Sequence, residues 1–276
     1  MHESVPSRTA LRVAARRAAH QILDRPPVFE DPLALAIVGA EAAAKASSDA
    51  SPPSLRAAMA ARSRFAEDEL ARAIERGVRQ YVLLGAGLDT FAYRNPHAAL
   101  GLRVFEVDHP ATQEWKRGRL RAAGIEIPAQ TVFVAVNFER QSLADALPSA
   151  GFRAGEPAFF SWLGVVPYLT EGAFLTTMSF IATLPPASGV VFDYAVARHA
   201  LSPREQLARD ALASRVAAAG EPFRLVFDPA ALAAQVRQLG FRHLEDLDAA
   251  EINSRYFRDR ADGLAVRVTH LLCARV

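Results

Sequence analysis

The segment Tyr81-Val82-Leu83-Leu84, followed at once by Gly85-Ala86-Gly87-Leu88-Asp89-Thr90, constrains this chain more than any other feature. A short apolar run with no polar alternation suits a strand buried on both faces of a parallel sheet. Glycines directly after it permit a tight turn and close backbone approach to a ligand. The helix that follows offers free N–H groups. Similar apolar runs recur at 102–107, 131–136, 158–163 and 190–195, with helix-like segments at 111–123, 142–147 and 170–184 between them. Strands alternating with helices indicate βαβ units. Beyond them, 203–219 and 229–239 read as helices, 241–247 as a strand, and 265–276 as a final strand preceded by a short segment. The total is about seven strands.

Upstream, the pattern is helical. Ser7 is placed to cap a helix towards Leu23, which Arg25-Pro26-Pro27 breaks. Asp31-Pro32 opens another, with Leu33, Ile37 and Val38 on one face, and 54–76 reads as a long helix with Leu55, Met59, Leu70 and Ile74 as its apolar positions. The chain therefore divides into an N-terminal helical cap, 1–76, and an α/β core, 77–276, forming one compact unit. The basic stretch 8–25, with Leu11, Ala15, Ala18 and Ile22 at helical spacing, reads as a packed helix; a transit peptide or membrane-surface helix is the other reading.

Composition excludes several classes. A hydrophobic fraction of 51% in 276 residues supports a large core, and a net charge of +2, with Arg interleaved among Asp and Glu, gives no nucleic-acid track. No apolar run approaches the ~20 residues of a membrane helix. The single cysteine, Cys273, lies in an apolar run and reads as a small buried hydrophobe, which fits a reducing cytoplasm. The seven histidines are scattered, with no His-x-x-x-His pair, so no metal site is expected.

The glycine loop is informative in its form. A dinucleotide fingerprint has a third glycine, where this chain has Thr90, and Asp89 puts a carboxylate where a pyrophosphate would sit. Asp89 also reads simply as a helix cap. A ligand with a sulfonium cation and no phosphate, S-adenosyl-L-methionine, suits this loop better. Asp108 closes the next strand about 20 residues on, the spacing for a carboxylate that accepts from ribose hydroxyls; Glu106 is read as turned the other way. Asn137-Phe138 reads either as an amide and ring for adenine or as a turn plus a core aromatic. The segment from Phe160 to Thr170, including Trp162, Pro167 and Tyr168, reads as a wall of the site or as core.

These residues together resemble the leucine carboxyl methyltransferase-like group of class I methyltransferases, in its bacterial small-molecule branch. The resemblance rests on Ser7-Arg8-Thr9-Ala10, Phe29-Glu30-Asp31-Pro32, Ala61-Arg62-Ser63-Arg64 and the stretch from Val82 to Thr90. It continues through Glu106-Val107-Asp108-His109-Pro110, Asn137-Phe138-Glu139 and Pro167-Tyr168-Leu169-Thr170, in family order over roughly 7–195. It implies a Rossmann-like, mostly parallel seven-stranded sheet with its last strand antiparallel, under an N-terminal helical cap. It implies that Gly85, Ala86 and Gly87 line the cofactor, that Asp108 holds its ribose, and that Asn137 and Phe138 contact adenine. Arg62 matches an arginine that binds the cofactor's carboxylate, with Arg64 the other arginine the motif admits; Arg17 matches a second basic contact. Tyr168 falls to the acceptor side.

Two departures stand out: Asn137 replaces a common aspartate, and Leu163 replaces a frequent glutamate. The expected activity is O-methylation of a carboxylate or hydroxyl on a small-molecule acceptor, with no nucleic-acid or membrane partner and the oligomeric state left open. Three other readings compete. The first is methylation of a protein C-terminal carboxyl; the second, fed by Leu163, is a non-catalytic binding module on the same scaffold. The third is a nicotinamide-dependent oxidoreductase, against which stand the missing third glycine and the absence of a Tyr-x-x-x-Lys pair, since Lys45 and Lys116 are the only lysines. No catalytic base is identified; His109 and Tyr168 are the candidates by position.

Overall fold

The computed structural model describes residues 8–46, 48, 52–136, 141–218 and 220–276. In chain order the elements are α1 (Arg8–Leu23), α2 (Ala34–Val38), α3 (Ala40–Ala46), α4 (Pro53–Glu75), β1 (Gln80–Leu84), α5 (Phe91–Arg94), β2 (Arg103–Asp108) and α6 (Pro110–Ala122). They continue with β3 (Thr131–Ala135), α7 (Leu143–Ser149), β4 (Ala158–Trp162), α8 (Glu171–Ala182), β5 (Gly189–Tyr194), α9 (Pro203–Ala218), α10 (Pro229–Gln238), β6 (His243–Leu247), α11 (Ala249–Tyr256) and β7 (His270–Arg275). Between β6 and the last strand, where the sequence indicates only a short segment, the chain forms a helix: α11 carries a capping box, Asp248 accepting from the Glu251 N–H while Glu251 accepts from that of Asp248. Ser7 lies outside the described residues.

The strands form one seven-stranded sheet in the order β3-β2-β1-β4-β5-β7-β6. Neighbours from β3 to β5 run parallel, and β7 runs antiparallel to both β5 and β6. The antiparallel last strand expected from the resemblance is present. Side chains alternate between two cores. Val82 and Leu84 of β1 join Phe105, Val107, Phe160 and Phe192 on the face covered by α7, α8 and α10. Tyr81 and Leu83 point to the face covered by α4, α5 and α11. With both faces buried, each strand reads as a continuous apolar run.

Glu106 needs a correction. It stands two residues before Asp108 and therefore shares its face of the strand. Position along β2 separates them. Glu106 is fully buried, with Lys116 Nζ at 2.8 Å and the Tyr93 hydroxyl donating at 2.9 Å, whereas Asp108 stands at the strand's rim.

Within the N-terminal helices, α1 is joined to α4 through polar contacts that apolar periodicity does not reveal. The buried face of α1 holds Ala14, Ala18 and Ala19 together with Arg17 and His20. This helix packs on α2, α3 and α4, which supports the packed-helix reading of 8–25. His20 is wholly buried: its Nε2 accepts from the backbone N–H groups of Val28 and Phe29 at 3.0 and 3.3 Å, and its Nδ1 lies 2.8 Å from Asp24. Because Nε2 is an acceptor, Nδ1 carries the proton and donates it to Asp24. Arg56 of α4 completes the unit with two bonds to Asp24 at 3.0 and 3.2 Å. Helix α4 is buried on nearly every side, between α1 and strands β4, β5 and β7.

Burial alone would raise the Asp24 carboxyl, but the hydrogen bonds from His20 and Arg56 hold it below the ordinary carboxylate range. A carboxyl with a depressed folded pKa stabilises the fold above its unfolded pKa, and that contribution disappears as pH falls through the folded value. Asp24→Ala should cost about 3–5 kcal/mol, the range for breaking a buried pair from one side. Urea unfolding should show this loss at pH 7 and a smaller difference from the parent below about pH 4. A difference independent of pH would mean that Asp24 acts by packing and not by charge.

Candidate active site

Chain order reverses across the sheet at β1: β2 and β3 lie on one side and β4 on the other. In open α/β sheets the crevice at such a point, beyond the carboxyl ends of the strands, is where ligands bind. A cavity of about 1000 Å³ occupies it. That is the upper end of the range for small-molecule pockets, which reaches roughly 1,000 Å³. Its floor is the turn from Gly85 to Asp89, and its roof includes Thr9, Ala10 and Val13 of α1.

The loop's conformation explains its glycines. Gly85 and Gly87 have φ of +69° and +45°, in the left-handed region. A Cβ on Gly85 would stand 2.5 Å from Val165 Cγ2, and one on Gly87 3.2 Å from Ala10 Cβ. The N–H groups of Gly85 and Ala86 donate to the Val107 carbonyl at 2.8 and 3.1 Å, which joins the ends of β1 and β2. Asp108 strengthens this join: one oxygen accepts from the Gly87 N–H at 2.6 Å and the other from the His109 N–H at 2.7 Å. Each oxygen keeps a lone pair for a further donor. Burial raises the Asp108 carboxyl above its usual range, against the lowering effect of those two N–H groups. Asp89 both caps and lines: its Oδ1 accepts from the Phe91 N–H at 2.8 Å, and its Oδ2 lies 3.6 Å from Arg17 in the cavity wall.

Of the two motif arginines, Arg62 faces the cavity and Arg64 does not. Arg62 is buried and lines the cavity, with Nη1 3.1 Å from Asp193 Oδ2. Arg64 is exposed and pairs with Asp68 at 2.8 Å on the same helix. Arg17 is also buried and lines the cavity; it contacts Asp31 and donates to Thr90 Oγ1 at 3.0 Å. Asn137 and Phe138 lie outside the described residues.

The opposite wall comes from the end of β4 and from the stretch after α9. Leu163, Gly164, Val165 and Tyr168 line it. The Arg224 and Leu225 N–H groups both donate to the Pro167 carbonyl, at 2.8 and 3.1 Å, and the Phe223 ring lies 5.7 Å from that of Tyr168. Glu221 lines the cavity and accepts from the Thr9 hydroxyl of α1. Burial pushes the Tyr168 hydroxyl up to about 12, with the charges of Glu221 and Asp193 adding to the effect. It therefore stays protonated at neutral pH, able to donate a hydrogen bond into the cavity. His109 lines the cavity, but its Nδ1 accepts from the Ala111 N–H at 3.3 Å, which assigns the proton to Nε2 and leaves no free ring lone pair for a base.

Asp193 and Glu221 are not apparent from the sequence motifs, and Thr9 stands there only as part of the motif Ser7-Arg8-Thr9-Ala10 with no role of its own. Asp193 carried a visible signal: like Asp108, it is an acid at the carboxyl end of an apolar strand. Glu221 had none, since its loop has no motif and its partner lies 212 positions away.

Residues 10–182 match the protein family described as leucine carboxyl methyltransferase. A Bacillus subtilis protein named "Putative S-adenosyl-L-methionine-dependent methyltransferase YktD" is 37% identical over 207 residues, covering 74% of this chain and 67% of that one. A "Putative S-adenosyl-L-methionine-dependent methyltransferase" of Mycobacteroides abscessus is 40% identical over 172 residues, 60% of this chain, and the match spans 56% of its own length. A crystal structure from Thermobifida fusca, titled as that of a putative methyltransferase, superposes with a TM-score of 0.60 at 16% identity over 99% of this chain and 96% of that one. That likeness is one of fold.

Two substitutions test the loop. Gly87→Val requires a β-branched residue in a left-handed conformation against Ala10, and should abolish S-adenosyl-L-homocysteine binding in calorimetric titration. Asp108→Ala should weaken that ligand by about 1.5–3 kcal/mol, the range for hydrogen bonds to a charged group. If cofactor affinity were intact and only acceptor affinity changed, Asp108 would belong to the acceptor site.

Proposed function

The chain belongs to the leucine carboxyl methyltransferase family, and from that premise we propose that it methylates an oxygen, of a carboxylate or a hydroxyl, on a small-molecule acceptor. It is an enzyme dependent on S-adenosyl-L-methionine. The residues present fit that cofactor. The left-handed turn at Gly85 and Gly87 lines the cavity with bare backbone, Asp108 keeps a lone pair on each oxygen beside that turn for a ribose hydroxyl, and Arg62 offers a cation to the amino-acid end. Gly85, Ala86, Gly87, Asp108 and Arg62 are assigned to the cofactor on this basis, and Asn137 and Phe138 on the resemblance alone.

Bound S-adenosyl-L-methionine supplies a methyl already activated by its sulfonium. The chain has to orient the acceptor oxygen and exclude water, and orientation is worth roughly 7–11 kcal/mol in favourable cases. The contact between Thr9 and Glu221 carries the small-acceptor reading. It joins the roof helix α1 to the opposite wall, so protein bridges the cavity at that point, which favours a small acceptor over a peptide tail. Tyr168, protonated and without a side-chain hydrogen bond among the described residues, is assigned to hold the acceptor oxygen. A carboxylate acceptor is ionised at neutral pH and needs no base. For a hydroxyl acceptor, the proton would go to Glu221, whose carboxyl burial raises above its ordinary range.

Incubation of a metabolite extract with enzyme and methyl-labelled donor tests the acceptor. Label on small molecules that base treatment releases marks a carboxyl ester; base-stable label on small molecules marks an ether. Label found on macromolecules alone would overturn this reading in favour of a protein carboxyl terminus. With the acceptor in hand, Tyr168→Phe should raise its KM about 10- to 100-fold, the equivalent of one hydrogen bond to a charged group, and leave cofactor affinity unchanged.

A further inference from the structure

Arg62 is the terminal half of a longer arrangement. Its side chain leaves α4 and crosses to the ends of β4 and β5, where Asp193 and Gly164 receive it. Asp193 accepts from Arg62 Nη1 at 3.1 Å through one oxygen and from the Gly164 N–H at 2.5 Å through the other. Gly164 has φ +71°, and a Cβ there would stand 2.9 Å from both Nη atoms and 3.2 Å from Cζ. The Nη1–Nη2 end of the guanidinium thus packs against a glycine in a left-handed conformation, where a side chain would displace it. Asp193 does not line the cavity, whereas Arg62 and Gly164 both do. It also lies outside the residues matched to the family, 10–182.

An arginine side chain has several rotatable bonds, and holding it in one geometry costs rotamer entropy. Where a neighbouring carboxylate holds it beforehand, that cost does not fall on ligand binding. The carboxylate that does so here arises from β5, while the adjacent end of β4 carries the apolar Leu163. We propose that Asp193 is the positioning residue for the amino-acid end of the cofactor: it fixes the Arg62 guanidinium against Gly164 in the cavity wall, where N–H groups not taken by Asp193 are left for the cofactor's carboxylate. This rests on the cofactor reading of the preceding section.

Two ligands separate the possibilities. S-Adenosyl-L-homocysteine carries the amino-acid end; 5′-methylthioadenosine keeps adenine, ribose and sulfur but lacks it. In calorimetric titration, Asp193→Asn should weaken S-adenosyl-L-homocysteine at least tenfold and leave 5′-methylthioadenosine within twofold of the parent. Asn is isosteric and can still accept from Gly164, so the melting temperature serves as the check on folding. Should Asp193→Asn fold poorly, Asp193→Ser is the substitute, judged by the same ratio of the two affinities. In an Arg62→Ala background the same change should have no further effect on S-adenosyl-L-homocysteine, because a residue acting through Arg62 has nothing left to position. Equal weakening of both ligands, or an undiminished effect without Arg62, would overturn the proposal. A parent protein that binds neither ligand would overturn it together with the cofactor reading, and that failure is recognisable because it precedes any substitution.

Discussion

A parallel sheet has to be covered on both faces, and most of this structure follows from that requirement. The sheet is sandwiched between one helical layer containing α7, α8 and α10 and another containing α4, α5 and α11. With both faces closed, the ends of the strands are the place left for a ligand. The reversal of chain order at β1 then separates the loops that follow β1 and β4, and the cavity opens between them. The site is a consequence of the topology before any particular side chain is considered.

The cap does more than cover a face. Helix α1 brings Ala10 against the glycine loop, close enough that the loop tolerates no Cβ at Gly87 without displacement. It brings Arg17 to Asp31, Asp89 and Thr90, which joins α1 and the stretch before α2 to the start of α5. Arg94 continues the network to Glu67 of α4 and to Asp31. Buried ion pairs of this kind contribute little net stability beside apolar packing of the same volume. Their effect is to fix one arrangement, because a shift of α1 along its axis would strand Arg17 and His20 without partners. A roof set by such contacts gives the cavity a defined shape.

Much of this was legible in the sequence, and the reasons are specific. The apolar runs gave the strands because burial on both faces erases alternation. The glycine loop and Asp108 gave the cofactor side because a single turn and one acidic strand end are local features. Arg62 needed the family resemblance, and only the side chain's direction separates it from Arg64, two positions on. What stayed hidden was long-range or polar. The face of α1 includes Arg17 and His20, which a search for apolar periodicity discards, although their partners make them core residues. The contact between Thr9 and Glu221 links distant parts of the chain, and nothing near Glu221 announces it. Glu106 was misread through parity, and its burial depends on Lys116, a residue whose type argues for the surface.

The charges around the cavity also bear on which ligand it can accept. Each of its buried guanidinium groups is already matched to a carboxylate: Arg62 to Asp193, and Arg17 to Asp31 and Asp89. Asp108 adds a further negative charge beside the glycine loop. A pyrophosphate brings concentrated negative charge and would need unmatched cations or free helix N–H groups at that point. Here the Phe91 N–H is taken by Asp89 and the Gly87 N–H by Asp108. A zwitterionic ligand with a sulfonium makes the opposite demand. Its carboxylate can share a guanidinium that is paired but not saturated, since that group has five donors. Its positive charges sit favourably among the acids that would repel a phosphate. The acids that match these guanidinium groups are therefore also what discriminates between the two cofactor classes, and they do so in part through the same Asp89 that first set this loop apart from a dinucleotide fingerprint.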